Sequence, residues 1–557
     1  TLINNNNIFD YFLSTTSVTG INVLTGNNGW TISNNRFYQT APRAFSASAR
    51  YSGITLSNSS GAHTITGNRV GFAAADGTGV TTISGSTNTV RGIDAASTSL
   101  TVATLIQNNV ISGINQTTAS TGTGTTTNFI GIMAGSTDGL VTIDGNAIGS
   151  LDGSSTIVIN STAGTGQVLG MYNFSNLVAT ITNNSVGSFT IQGVGVTNGF
   201  RGILINTNSA QLATITGNTI ANVTDLQVGS YSVTGIQTVS APVVMNDNVI
   251  RNLTGNGNAA SVVMQGISVG AGSATLPSTI GRNTVHSLHN TVAGSNAGAL
   301  YAIDLTLGTQ ANVVERNLVH SISVDSTVLT YQVWGMILRG TSPSTATVRN
   351  NMIRIGFNAA GASMTQPFSI IGIRDSLGTG VVNNFYNNSV YIGGTGVAAG
   401  GANTFALNSD TVTTARAYQN NIFWNARSNA VAGGLAHFAI WLAGTTPSPA
   451  GTTSSHNLLR VSGTDGVTGF YNSLGTATLL DWQTATGVDA NSFAGDPQFI
   501  APNGTAATGN LHINPAVSTP IEATGLAIAA VTDDFDGDVR AGLTPTDVGA
   551  DAGNFTP

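Results

Sequence analysis

Thr214–Val223 reads TITGNTIANV, and the chain rewrites this stretch along most of its length. The same grammar stands at Thr31 (TISNNRFYQT), Thr64 (TITGNRVGFA), Thr142 (TIDGNAIGSL), Thr180 (TITNNSVGSF), Thr279 (TIGRNTVHSL) and Thr347 (TVRNNMIRIG). Each copy is an apolar-alternating run, a bend ending in Asn, and a second alternating run. Strict alternation predicts strand. An Asn at a fixed place between two strands is expected near the left-handed region, its short amide bonding the local backbone.

Outward from that stretch, the bend Asn recurs as Asn35, Asn68, Asn109, Asn146, Asn184, Asn218, Asn248, Asn283, Asn317, Asn351, Asn388, Asn421 and Asn457, in steps of 30 to 41 residues. A second landmark, a small residue before Ile or a similar side chain, keeps phase with it at Ile21, Ile54, Ile93, Ile132, Met171, Ile203, Ile236, Ile267, Ile303, Met336, Ile373, Leu407 and Ile440. The two stay 12 to 17 residues apart in every repeat. Each repeat therefore holds three short strands: one after the Gly-Ile (Gly202–Asn206), one before the Asn (Ala213–Thr216) and one after it (Thr219–Val223). No helical period intervenes, and 13 propeller blades lie outside the usual 4 to 8. The pattern predicts an all-β chain: a parallel β-helix, or solenoid, of about 13–14 three-strand coils.

The core follows directly. Two residues after each Asn stand Phe37, Val70, Ile111, Ile148, Val186, Ile220, Ile250, Val285, Val319, Ile353, Val390, Phe423 and Leu459, none of them polar. Three before most of them stand Ile32, Ile65, Ile143, Ile181, Ile215, Met245, Ile280, Val314 and Val348. These form two inward columns, and the Asn series forms an inward structural ladder beside them. The stretches 153–166, 225–233, 255–263 and 290–299, rich in Gly, Ser, Thr and Asn, are expected to be loops along one side.

Composition narrows the function classes. The 557 residues include 17 Arg, no Lys and no Cys, and only 7% are charged, against ~25% in ordinary domains. Without Cys there is neither a disulfide framework nor a thiolate metal site. No apolar run reaches the ~18 residues of a membrane helix. Counterion release would contribute little for a chain of net charge −7 with dispersed Arg, which argues against a nucleic-acid partner. The charge is uneven: residues 1–480 carry 16 Arg and 14 acids, whereas 481–557 carry one Arg and 10 acids. Repeat phase is lost near Ser462, so the chain divides into a β-helix over 1–461 and an irregular C-terminal cap over 462–557, which covers the open end of the coil. The start at Thr1 reads as the second half of a repeat, and the chain is expected to be a fragment of a larger protein.

The tail carries GDPQF (495–499), GNLHI (509–513), DDFDGDVR (533–540) and DVGAD (547–551). With these motifs the chain resembles right-handed parallel β-helix proteins of the pectin-lyase-like superfamily, of the large secreted or cell-surface type common in Bacteroidota. The resemblance covers nearly the whole chain for fold, but only the tail motif is specific. It implies a right-handed coil and an extracellular or cell-surface location. The superfamily spans pectate lyases, polygalacturonases and inactive adhesins, so fold does not choose among them.

Three sets of residues could carry chemistry. The Gly-Ile strands offer Asp94, Asp304, Asp375 and Asp410, with Arg374 beside Asp375, but no pair of carboxylates that would flank one glycosidic bond. The acids read as local Asp–Arg pairs, and no catalytic residue is assigned. Three residues after the Asn, Arg251, His286, His320, Arg354, Tyr391, Trp424 and Arg460 form an outward basic and aromatic stripe. Aromatic faces stack on sugars, and Arg suits carboxylate or sulfate oxygens, so this stripe is the candidate groove for a polysaccharide or cell-surface glycan. In the tail, Asp534, Asp536 and Asp538 around Gly537 resemble the start of a Ca²⁺ loop, without the Glu that would complete it. No cofactor is otherwise required. His63, His289, His437, His456 and His512 show no ligand spacing. The expected function is a non-catalytic structural or adhesive β-helix that binds glycan along one face and associates with its own copies or with further domains of the same chain. The alternative is a polysaccharide lyase or glycoside hydrolase with a diverged site.

Overall fold

The computed structural model describes the chain except residues 60–61, 98, 136–138, 164–165, 176, 195–198, 207–210, 230, 259–261, 271, 274, 293–297, 341–343, 379–381, 411–414, 445–448, 450 and 544–545. Strands dominate and stack in parallel into a β-solenoid of about 12 turns, with three sheets to a turn. The residues group into two compact units, Thr1–Gly270 and Ala271–Pro557.

Within the first unit, Ala213–Thr216 pairs in parallel with Ala179–Thr182 on one side and Val243–Asn246 on the other. Thr219–Asp225 lies between Ser185–Gly193 and Val249–Gly255. Phe200–Ile205 lies between Val168–Asn173 and Val233–Thr238. The second unit repeats the scheme: Met352–Ile355, for example, runs between Leu318–His320 and Ser389–Ile392. Like positions face like positions, so Ile215 meets Ile181 and Met245. Both expected apolar columns are sealed, every member between 0 and 1% exposed. Complete burial of such a side chain stabilises by roughly 1.5–3 kcal/mol.

The Asn ladder is continuous over the described bonds within each unit. Asn218 shows the unit of construction. Its Nδ2 donates to Asn248 Oδ1 (3.0 Å) and to the Ile181 carbonyl of the rung before (2.9 Å), while its backbone N–H donates to the same Asn248 Oδ1 (3.0 Å). The ladder starts one rung earlier than the repeats suggest, because Asn6 donates to Asn35 Oδ1 from both nitrogens. It ends on Asp489 and Ser492, which accept from Asn457.

One expectation is corrected. The left-handed residue of each bend precedes the ladder Asn: Asn34, Gly67, Asn108, Gly145, Asn183, Gly217, Asp247, Asn350, Asn387 and Asn420 all have positive φ. The turn needs one residue of that hand, and the ladder Asn follows in ordinary backbone so that its amide reaches the next coil. A second correction concerns the stretch 153–166. It contains the strand Ile157–Ser161, paired with Ile114–Thr118 and Phe189–Gly193, because Ile157 and Ile159 alternate inward. Residues 225–233, 255–263 and 290–299 lie in part outside the described residues.

The C-terminal segment does two jobs. The coil continues past 462, since Gly466–Tyr471 pairs in parallel with His437–Leu442 before turning back as Leu474–Thr476. A helix, Leu479–Thr486, then covers this last strand. It opens with a capping box between Thr478 and Asp481 and stops at Gly487, whose φ is 72°. Its Trp482 is fully buried over Gly469, where a Cβ would meet the ring at 2.2 Å. Trp482 Nε1 bonds Asp489, the same carboxylate that ends the ladder. Beyond this the chain runs back along the flank of the second unit. Arg316 donates to the Phe535 carbonyl, Asn350 to Asp533, Arg354 to Pro502, Asn387 to Asp547 and Asn420 to Leu526. Phe499, Leu511, Ile513, Ile521 and Val548 bury Met352, Ile422 and Leu458 on that flank.

The ladder makes a direct stability prediction. Asn218→Ala strands two buried donors of Asn184 and the Ile181 carbonyl. Orphaned buried groups cost about 1–3 kcal/mol each, so a loss near 3 kcal/mol in urea unfolding is expected. Thr214→Ala, on the outward side of the same repeat, should change stability by under about 0.5 kcal/mol.

Candidate functional site

The expected glycan stripe does not form one open groove. Arg251 and His286 are half-buried, but His320, Arg354, Tyr391 and Trp424 are 6, 1, 3 and 7% exposed. The returning tail covers the last three. Arg354 Nε donates to the Pro502 carbonyl at 2.7 Å, and Tyr391 Oη donates to Asn503 Oδ1 at 2.6 Å. Trp424 packs against the Arg460 guanidinium at 4.3 Å and stacks with the Phe499 ring at 5.9 Å. Arg460 also pairs with Asp496 at 3.0 Å. A cleft of about 440 Å³ remains beside Phe357, Tyr391 and Trp424. The stripe's C-terminal half thus reads as a seam for the chain's own tail. His320 and His286 stack at 4.6 Å, and burial, with His286 and Arg354 nearby, pushes His320 down to about 3.

The acidic candidates are likewise engaged by their neighbours. Asp375 sits in the inward column of Leu305 and Leu338 and is fully buried. It accepts from Arg416, from Tyr418 Oη at 2.7 Å and from Ser409 Oγ at 3.2 Å. Arg374 instead pairs with Asp410 at 2.7 Å and lies 4.4 Å over the Trp334 ring. Asp304 pairs with Arg339. In the tail, Asp534 Oδ1 accepts the N–H groups of Asp536, Gly537 and Asp538, and Oδ2 accepts that of Ala552. That carboxylate is a buried anchor of its turn, saturated by backbone donors. Asp536 and Asp538 are exposed.

Asp94 leads to a site that spacing did not reveal. Thr89–Ser97 is a strand of the Gly-Ile sheet in which Val90 and Ile93 are fully buried and the charged Arg91 and Asp94 are buried as well. Arg50 begins the neighbouring strand directly beside Thr89 and donates to Asp94 at 2.8 Å. The segment containing Gly124–Thr126 folds over Arg91, whose guanidinium donates to the Thr125 and Val90 carbonyls. Between them lies a cleft of about 480 Å³, within the range of small-molecule sites, lined by Arg50, Arg91 and hydroxyls of Ser17, Ser48, Thr87 and Thr126. Arg91 is 1% exposed and its Nε has no protein partner. Burial pulls Arg91 down to about 9, with Asp94 opposing and Arg50 adding to the fall. Burial also raises Asp94, against the pull of both arginines. Two cations facing one carboxylate leave the cleft suited to an anion, and the hydroxyls suit a polyol. The sequence signal was the pair Arg91 and Asp94 three apart on one strand, legible only once Arg50 is known to stand on the adjacent rung.

No family model matches the chain, and no curated protein matches it. Among the described residues no helix is long and apolar enough to cross a membrane. The class is defined by the structure alone: a parallel β-solenoid with an internal asparagine ladder.

Two outcomes separate the roles of these groups. Arg416→Met leaves Asp375 buried without its cation and should cost about 3–5 kcal/mol, whereas Arg374→Met, at a half-exposed pair, should cost under about 1 kcal/mol. Acid should also weaken the second unit. His437, bonded to Thr404 and Asn429, is pushed by burial down to about 4. A folded value below the unfolded ~6.5 means stability is full above pH ~6.5 and falls as pH drops toward 4. Denaturation midpoints across that window should fall less steeply for His437→Gln than for the parent.

Proposed function

We propose that this chain is a non-catalytic, extracellular or cell-surface β-solenoid with a structural or adhesive role, and that it retains an anionic saccharide in the Arg50–Arg91 cleft. The observation that carries this reading is the buried Arg91 guanidinium, which lines a hydroxyl-rich cleft beside Arg50 with its Nε lacking a protein partner. Uronate carboxylates and sugar sulfates present planar or tripodal oxygens to arginine, and ring hydroxyls exchange bonds readily with Ser and Thr. Among the described residues no carboxylate lines the cleft, and the nearby Asp94 is already bound to Arg50. Acid–base cleavage of a glycosidic bond calls for two carboxylates, which favours retention over turnover. The scarcity of charge elsewhere suits a stiff coil whose polar groups are spent on internal bonds.

A glycan array of the full chain, with product analysis of every hit, tests the reading. Uronate-containing or sulfated glycans should be retained in preference to neutral ones. Arg50→Gln should weaken retention at least about tenfold, the loss of one charge-assisted bond. Ser48→Trp, at the exposed rim, should block the cleft without changing the melting temperature. Retention untouched by either variant sinks the proposal, and new reducing or unsaturated ends would establish the enzyme alternative instead.

A further inference from the structure

The tail brings together three potential ligands that are distant in sequence. His512 lies on the strand Asn510–Ile513, Asp536 on the turn between Asp534 and Asp538, and Asp551 near the C-terminus. One ligand atom from each lies within 4.8 Å of the others. His512 Nε2 stands 3.0 Å from Asp536 Oδ2. Ligands that share one ion at ~2.0–2.2 Å stand roughly 3–3.5 Å apart, so this pair already has the required spacing.

The tautomer of His512 supplies an independent argument. Asn510 Oδ1 accepts the backbone N–H of His512 at 2.8 Å, which identifies that atom as the amide oxygen. The same oxygen lies 2.5 Å from His512 Nδ1, so Nδ1 must carry a proton and donate to it. On the opposite side of the ring, Nε2 faces Asp536 Oδ2. An imidazole whose far N–H is held by an amide oxygen is also the usual outer arrangement of a metal-bound His.

Asp551 adds a third argument. It is 8% exposed, and the donor it meets among the described residues is the Ile513 N–H, on Oδ2 at 2.6 Å. A carboxylate so buried with a single donor is under-compensated. The nearest buried cation, Arg540, spends its donors on the carbonyls of Asp533, Asp547, Gly549 and Ala550 and on Asn350.

We propose that His512, Asp536 and Asp551 bind a divalent transition-metal cation, as a one-nitrogen, two-oxygen set that ties the hairpin strand to the acidic turn of the tail. Imidazole with carboxylates selects Zn²⁺ or Mn²⁺ over Ca²⁺, which prefers six to eight oxygens. The site shares Asp536 with the Ca²⁺ loop expected from sequence, but neither its partners nor its metal.

Titration of the full chain with Zn²⁺, and separately with Ca²⁺, by calorimetry tests this. One Zn²⁺ per chain is expected, with a rise in melting temperature that Ca²⁺ does not reproduce. His512→Ala should abolish binding, and Asn510→Ala, which touches no metal, should weaken it about 10–100-fold. Circular dichroism and the metal-free melting temperature of each variant distinguish a lost site from a lost fold. Absence of Zn²⁺ binding, or binding unchanged in His512→Ala, overturns the proposal, as does Ca²⁺ binding as tightly as Zn²⁺.

Discussion

The Asn ladder is the constraint from which the rest of the coil follows. Each amide oxygen accepts two bonds from the rung before it, and each amide nitrogen reaches both the next rung and a carbonyl of the previous one. Such bonds close only if successive coils stay in parallel register, because a one-residue slip would turn every side chain to the other face. Register then fixes the apolar columns, and the columns exclude the water that would compete for the amides. A single net bond contributes only ~1 kcal/mol, but an orphaned buried group costs more, so the ladder enforces register chiefly through the penalty for breaking it.

That constraint leaves the outward positions free, and the two units use the freedom differently. The residue just after each ladder Asn reads Arg36, Arg69, Val110, Ala147, Ser185, Thr219, Val249 and Thr284, then Leu318, Met352, Ser389, Ile422 and Leu458. Large apolar side chains on an outward strand face need a cover. The tail provides it, with Phe499, Leu511, Ile513, Ile521 and Val548 over Met352, Ile422 and Leu458. The same covering closes Arg354, Tyr391 and Trp424, so their size reflects packing against the tail.

This column also explains which parts were legible in the sequence. Strand positions and both core columns could be read because each repeats with the same inward chemistry, and repetition averages out local noise. The αL position could not be placed from Asn alone, since Gly67, Gly145 and Arg282 occupy it as well. Ile157–Ser161 was hidden by the Gly and Ser around it. The returning tail was hidden for a different reason: Arg354 and Pro502 are 148 residues apart, and no repeat encodes their meeting. The acidic excess of 481–557 set that segment apart in charge, but it gave no direction of travel. The outward Leu, Met and Ile were the physical clue.

Where ligand could be held follows from the same accounting. On the flank of the second unit the outward aromatics and arginines are committed to the tail, and Asp375 is drawn into the core by Arg416. In the first unit, Arg50, Arg91 and Asp94 stand on the Gly-Ile sheet under the 121–126 segment, held by bonds that leave a cleft open. A buried guanidinium with an unmet donor is costly to keep. In a chain with only 7% charged residues, such a group is conspicuous. An anion in the cleft would offset that cost by adding oxygens beside Arg50 and Arg91. Arg354 Nη2 and Arg427 Nε in the second unit are also buried without a protein partner, so the case for the first unit rests on the open cleft beside Arg50 and Arg91.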